Sequence, residues 1–465
     1  MSDDSPLLSP EEHVLSTLNQ DGSRRWVRPR IVHGKWWKRR AVVAWALILL
    51  FNILPWVQIA GKPLLRLDVV AREFTFFTVT FRPTETLLLT LLLLTVFFGI
   101  FLMTALFGRV WCGWGCPQTV YLEYLFRPLE KWIAGPNLAK GKPVPIERRV
   151  MSIVLCGLVC LHLAHTFLAY FVGPQEVLQW SLSSPSEHPA GFAIVMGVTA
   201  LMMFDFLYFR EQMCILACPY GRLQSVLLDR KSLIVGYDEK RGEPRGKLSK
   251  KGAAEGAAPQ GDCIDCGWCS AVCPTGIDIR NGLQMECIHC TECIDACDAV
   301  MDKVGKPRGL IRYSSQDGLE GGKMGFLRPR TLLYPLVLVV IISLFAWQLT
   351  GLESATLLPR RVQGQPYTKL EDGRIQTTVA FSLENRSEET RTYQIASDDE
   401  RFELRAPTFP MKVGPGESRD FVVVVLAPLE VYDRGKAEVP FRFTDGVDFD
   451  HPMPRNVPGP YSVSR

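Results

Sequence analysis

Five stretches of this chain are apolar almost without a break: 41–59, 87–107, 151–173, 191–209 and 332–351. Each approaches the ~20 residues that a helix needs to cross the hydrocarbon of a bilayer. A helix satisfies its own backbone polar groups, which lipid cannot do, so an α-helical transmembrane bundle of five spans is predicted. Beyond residue 351 the pattern changes to alternation. Ile375–Leu383, Thr392–Ile395, Arg401–Leu404, Asp420–Leu426 and Ala437–Phe443 read as strands, parted by turn residues such as Glu384-Asn385-Arg386-Ser387 and Gly414-Pro415-Gly416. Short strands at this spacing over about 100 residues predict a β-sandwich of immunoglobulin type. No catalytic constellation lies in it, so packing or interaction is its expected role.

The expected order is a basic segment 1–40, a four-span membrane domain 41–230, an inserted domain 231–330, a fifth span 331–351 and the sandwich 352–465. Lys and Arg in the connecting segments set the orientation. The N-terminal flank holds eight, the 60–86 loop four, the 108–150 loop seven, the 174–190 loop none and the segment 210–331 eighteen. This alternation predicts that the N-terminus, the 108–150 loop and the inserted domain are cytoplasmic, with 352–465 on the opposite side. No apolar run starts near Met1, so no cleaved signal peptide is expected. Ser23-Arg24-Arg25-Trp26 has the outline of a twin-arginine signal, yet the apolar run begins well downstream without a small-residue cleavage site. It reads as a basic flank.

Composition refines this picture only slightly. A net charge of +4, with the basic residues in blocks, excludes a nucleic-acid binder. Tyr237–Gly261 is rich in Gly, Lys, Arg and Pro and reads as a solvated linker. Within it Tyr237-Asp238-Glu239-Lys240-Arg241-Gly242-Glu243-Pro244-Arg245-Gly246 is unusual without legible chemistry.

Cysteine is far more telling. All fourteen lie between Cys112 and Cys297, and eight of them form two copies of one spacing. Cys263-x2-Cys266-x2-Cys269-x3-Cys273 is followed by Pro274, and Cys287-x2-Cys290-x2-Cys293-x3-Cys297 by Asp298. This is the bacterial ferredoxin run for a pair of [4Fe–4S] clusters, in which the fourth cysteine of each run crosses to the other cluster. Cys263, Cys266, Cys269 and Cys297 are therefore assigned to one cubane, and Cys287, Cys290, Cys293 and Cys273 to the other. Zinc would leave a third closely spaced cysteine over, and disulfides are rare on the reducing side of a membrane. Asp298, where the first run has proline, is expected to leave the turn after Cys297 less restrained.

Two further pairs share a second pattern, Cys-x3-Cys-Pro: Cys112 and Cys116 before Pro117, after the second span, and Cys214 and Cys218 before Pro219, after the fourth. On a helix, residues four apart share a face, so each pair could present two sulfurs to one partner. Four thiols at one depth could form a single site, and soft thiolates suit Cu(I) or an iron–sulfur cluster. The plainer alternative is cysteine as a small apolar residue, which the repeated trailing proline weakens. Cys156 and Cys160 lie inside the third span, where small residues let helices approach. His162 and His165 share that helix on a roughly opposite face. Intramembrane ionisable groups are functional candidates, although a hydrogen-bonded structural pair serves equally well. Met202 and Met203 read as apolar filler.

Assembled, these residues make the chain resemble the FixG/RdxA/CcoG family, accessory proteins of cbb3-type cytochrome c oxidase. The resemblance runs through the basic flank, both Cys-x3-Cys-Pro motifs, Tyr237–Gly246, the paired ferredoxin motifs, Gly305-Lys306-Pro307-Arg308-Gly309-Leu310-Ile311 and the sandwich. It implies an inner-membrane cupric reductase that supplies Cu(I) for the oxidase's copper centre. Two [4Fe–4S] clusters would be its cofactors and copper its substrate, held at Cys112, Cys116, Cys214 and Cys218. The implied partners are oxidase assembly factors and a copper transporter or chaperone. No flavin or nicotinamide fingerprint occurs, so the cytoplasmic electron donor must be external. The membrane motifs are also similar to those of quinol-oxidising anchors of periplasmic reductases, for which His162 and His165 would be quinone-site candidates. A non-enzymatic assembly scaffold is the third alternative.

Overall fold

A computed structural model describes residues 13–461, apart from 20, 22, 60–61, 70–72, 77–78, 82–85, 136–143, 248–259, 323–327, 351–352, 361, 363–364 and 388. Five helices among the described residues are long and apolar enough to span a bilayer: Lys35–Trp56, Leu87–Phe107, Ile146–Val172, Pro189–Phe209 and Pro329–Thr350. They match the five apolar runs, but their ends differ instructively. The first starts at Lys35, inside the expected basic flank, because Asp295 caps it. Its carboxylate accepts from the backbone N–H of Trp36 at 3.1 Å and of Trp37 at 2.7 Å. Such a carboxylate satisfies orphan donors and opposes the positive end of the helix dipole. The fourth helix loosens into a wide π turn over Phe204–Phe209. Between the first two helices, Leu65–Asp68, Glu73–Phe76 and Val79–Phe81 form a small antiparallel sheet that hydropathy alone reads as loop.

The inserted domain corrects two expectations. Tyr237 does not begin a linker: Ile234–Tyr237 pairs antiparallel with Ile311–Ser314, closing the two ends of the cysteine stretch on each other. Asp238 then caps the turn Glu239–Gly242. The Cys263 amide donates to the Gly242 carbonyl at 3.3 Å and the Gly246 amide to the Cys263 carbonyl at 3.2 Å. The described part of the run is thus bolted to the first cysteine loop; residues 248–259 lie outside the described residues. Second, no turn follows Cys297. The helix Glu292–Val304 runs straight through it, and Asp298 accepts from the Gly309 amide at 2.9 Å. Asp298 restrains the segment that a proline would have broken.

The C-terminal unit, Ala346–Arg465, is a sandwich of two antiparallel sheets. One runs Ala355–Arg360, Ile375–Asn385, Ser418–Ala427, Glu403–Arg405, with Thr368–Lys369 beside Ile375–Asn385. The other runs Met411–Val413, Arg391–Ser397, Lys436–Thr444, Asp450–Pro458. Alternate residues turn inward, and Tyr393, Phe381, Val423, Val439, Phe441 and Phe443 are fully buried between the sheets. The strand Asp450–Pro458 escaped notice because Pro452, Pro454 and Pro458 interrupt it. It pairs on one side only, where missing N–H groups are tolerated.

Replacing Asp298 tests the continuous helix. Asp298→Pro should cost about 3 kcal/mol or more, whereas Asp298→Ala loses one acceptor worth about 1 kcal/mol. Thermal unfolding should rank the variants in that order; a proline variant as stable as the parent would contradict a helix through Cys297.

Candidate iron–sulfur and thiol sites

Both ferredoxin runs fold by the same device. In each, the residue before the second cysteine and the residue after it have left-handed backbones: Asp265 and Gly267 in the first run, His289 and Thr291 in the second. Three of these four carry a Cβ, and for a branched residue such as Thr291 that conformation is strained. The reversal curls three sulfurs inward and then starts a helix, Trp268–Ala271 or Glu292–Val304, bearing the third cysteine in its first turn.

The result is two cavities. One is lined by Cys263, Cys266, Cys269 and Cys297 with Tyr237, Met301 and Ile311. The other is lined by Cys273, Cys287, Cys290 and Cys293 with Ile277, Ile279 and Ile288. Cys269 also borders the second cavity and so lies between them. The fourth cysteine of each run faces the other run's loop, as its spacing requires. All eight are free thiols, so four soft donors around each apolar chamber fit the demand of a cubane. Burial pushes the thiol of Cys269 up to about 11 and those of Cys287 and Cys297 to about 12. Buried thiolates therefore need a cation among them. His289 adds an orphan: its Nδ1 accepts from the Arg109 amide at 3.1 Å, while its buried Nε2 has no partner among the described residues.

The Cys-x3-Cys-Pro motifs differ from the expected shared helix face. Cys112 sits on the short helix Val110–Trp114, but Cys116 is extended and starts a new helix at Pro117. Cys214 lies in a π turn, Met213–Ala217, and Cys218 likewise precedes the helix Pro219–Leu227. Each proline is the first residue of a new helix, where its missing N–H costs nothing. The two motifs still converge. Cys214 feels the charges of Cys112, Cys116 and Cys218, and Cys116 that of Cys218. Burial pushes Cys112 up to about 11, against the pull of the buried Arg109 guanidinium. Sequence reasoning missed Gln224, which is fully buried. Its Oε1 accepts from the Cys112 thiol at 3.0 Å, and its Nε2 donates to Tyr220 at 2.7 Å and Thr104 at 3.1 Å. The only sequence signal was a polar residue on the apolar face of the helix after Pro219. Among the described residues, no three His, Cys, Asp or Glu converge on a single-ion position. The ferredoxin thiols surround a space rather than a point.

Cys156 and Cys160 are wholly buried against Ala44, Ile48, Tyr121 and Phe206, and Met202 and Met203 pack at the edge of that core. His162 Nε2 lies 2.7 Å from Asn52 Oδ1, and His165 Nδ1 donates to the Leu161 carbonyl at 2.8 Å.

Three known families match parts of the chain. Residues 209–316 match a 4Fe-4S dicluster domain, residues 89–136 a 4Fe-4S binding domain, and residues 345–452 the IG-like fold at the C-terminal of FixG. The second match includes Cys112 and Cys116. Protein RdxB of Cereibacter sphaeroides is 36% identical over 85% of this chain and 86% of its own. Protein RdxA of the same organism is 33% identical over 80% of this chain and 81% of its own. Nitrogen fixation protein FixG of Rhizobium meliloti is 36% identical over 63% of this chain and 57% of its own.

Gln224→Leu should lower the thermal stability of the purified protein by about 1–3 kcal/mol, since Tyr220, Thr104 and Cys112 lose a common partner. An unchanged melting curve would show that the amide carries none of this network.

Proposed function

This chain belongs to the FixG family of membrane iron–sulfur electron-transfer proteins, and we propose that it reduces Cu(II) to Cu(I) for assembly of the copper centre of a cbb3-type cytochrome c oxidase. The observation that carries the reading is the packing of one membrane thiol, Cys112, against a ferredoxin loop. Cys112 shares one buried apolar cluster with Ile288 and Cys290. Cys263, Cys266, Cys269 and Cys297 would hold one cluster, and Cys273, Cys287, Cys290 and Cys293 the other. Bound there, the clusters supply one-electron storage at a potential set by cysteine ligation and burial.

The remaining work falls to the chain itself. Cys112, Cys116, Cys214 and Cys218 bind copper as substrate in this reading, drawing in around the ion from the wider spacing they have without it. Each Cu(II) takes one electron, drawn ultimately from a one-electron donor protein in the cytoplasm, and becomes Cu(I). That product prefers soft sulfur, so it is held for a copper chaperone or transporter. Arg109, buried beside Cys112, favours the thiolate form that a cation requires. The basic-rich segments support an inner-membrane orientation with the ferredoxin domain cytoplasmic and residues 352–465 periplasmic.

One observation favours a second reading, quinol oxidation for a periplasmic reductase. A mostly apolar cavity of about 250 Å³ is lined by His165, Trp180 and His188. His165 engages the Leu161 carbonyl through Nδ1, which leaves Nε2 free to accept from a hydroxyl. His162, bonded to Asn52, does not line it.

Purified protein reduced with dithionite should be reoxidised by Cu(II), and not by quinone. Replacing Cys112, Cys116, Cys214 and Cys218 with serine should abolish copper binding while the ferredoxin iron remains; undiminished copper binding would remove these thiols from the site. Cys273→Ser and Cys297→Ser should each silence one of the two iron–sulfur signals in paramagnetic resonance, and different ones.

A further inference from the structure

Gly113, between the two cysteines of the first membrane motif, lies hard against the second ferredoxin loop. A Cβ built on it would sit 2.5 Å from the Ile288 carbonyl oxygen and 2.9 Å from both the Cys290 Cα and N. All three are backbone atoms, so no side chain could swing aside. The Gly113 carbonyl accepts from Arg40 Nε at 3.0 Å, and Arg40 Nη1 pairs with Glu292 at 2.9 Å. Arg40 has no solvent exposure. It therefore ties the membrane motif to Glu292, one of the two residues between Cys290 and Cys293. A second tie runs from Trp114 Nε1 to the Tyr313 hydroxyl at 3.2 Å, and from that hydroxyl to the His289 carbonyl at 3.2 Å. Among the described residues the other cavity shows no such tie to the membrane motifs, and its Cys266 is exposed.

We propose that Gly113 is a positioning residue, locked by Arg40, that sets the gap between the membrane thiols and the cavity of Cys273, Cys287, Cys290 and Cys293. That cavity is the inner one. The cavity of Cys263, Cys266, Cys269 and Cys297 is the outer one, open to the donor through Cys266. This order rests on the function proposed above, but the spacing role does not. Adding one methyl group at Gly113 forces the Ile288–Cys290 loop back and lets water into the seam, while all four cysteines of that cavity are retained.

The test uses the full-length, cluster-loaded protein in detergent with Gly113→Ala. Iron and sulfide content should equal the parent's. In a redox titration followed by paramagnetic resonance, one centre should shift in potential and the other stay, the shifted one being the signal that Cys273→Ser removes. Reoxidation by Cu(II) after dithionite should slow by about one to two orders of magnitude, the cost of an ångström-scale misplacement of reacting groups. Arg40→Lys keeps the charge but cannot span both partners, and carries the test should Gly113→Ala lose iron. Parental potentials in both variants, or equal shifts in both centres, would overturn the spacing role. A parent that Cu(II) fails to reoxidise would sink the cupric reading alone, because the titration still reads the gap.

Discussion

The guanidinium of Arg40 reaches Glu292 and the Gly113 carbonyl with no water contact at all. Three distant parts of the chain meet there: the first spanning helix, the loop of the first membrane motif, and the start of the helix that carries Cys293 and Cys297. A buried ion pair gains little over apolar packing in net stability, but removing one partner costs about 3–5 kcal/mol. What it adds is direction. Apolar faces can slide past one another, whereas a guanidinium that donates to a carboxylate and a carbonyl at once fixes rotation and translation together. Asp295, one turn along the same helix, reinforces this by capping the first span at Trp36 and Trp37. Glu211, nearly buried, repeats the device near Cys214, held between Arg24 and Arg127.

With that seam fixed, the ferredoxin insert forms one compact unit with the membrane helices rather than a tethered module. This matters for the strained loops. Left-handed backbone at Asp265, His289 and Thr291 is costly, of the order of 1–3 kcal/mol each, and persists only where surrounding contacts over-determine it. At His289 those contacts come from the membrane side: the Arg109 amide holds the ring, and Tyr313 holds the carbonyl. At Asp265 they come from within the insert, through Arg280 at 2.5 Å. The first run also draws on Tyr237–Gly246, whose backbone brackets Cys263.

Periodicity and spacing carried much of this architecture. Apolar length announced the spans, alternation announced the main strands, and Cys-x2-Cys-x2-Cys-x3-Cys announced which thiols share a cavity, because each pattern is local. The rest depends on contacts between residues far apart in sequence. Arg40 looked like one more member of a solvated basic flank, since nothing nearby reveals a carboxylate some 250 positions away. Tyr237–Gly246 looked like linker because its partners are Cys263 and Ile311. Asp298 looked like a missing proline because the amide that donates to it, that of Gly309, lies beyond the helix. Gly113 had no local signature, and Gln224 only that of a polar residue on an apolar helix face.

The protonation of the thiols gives these contacts their chemical meaning. Burial alone would keep Cys112 protonated at neutral pH, with its proton shared to Gln224. Arg109 opposes this from a position where it also acts on Cys214 and Cys287. One cation in the wall thus biases thiols on both sides of the seam toward the charged form. In the proposed copper site a soft cation would complete the conversion by displacing the protons, so its occupancy would rise with pH and a proton would leave as the metal binds.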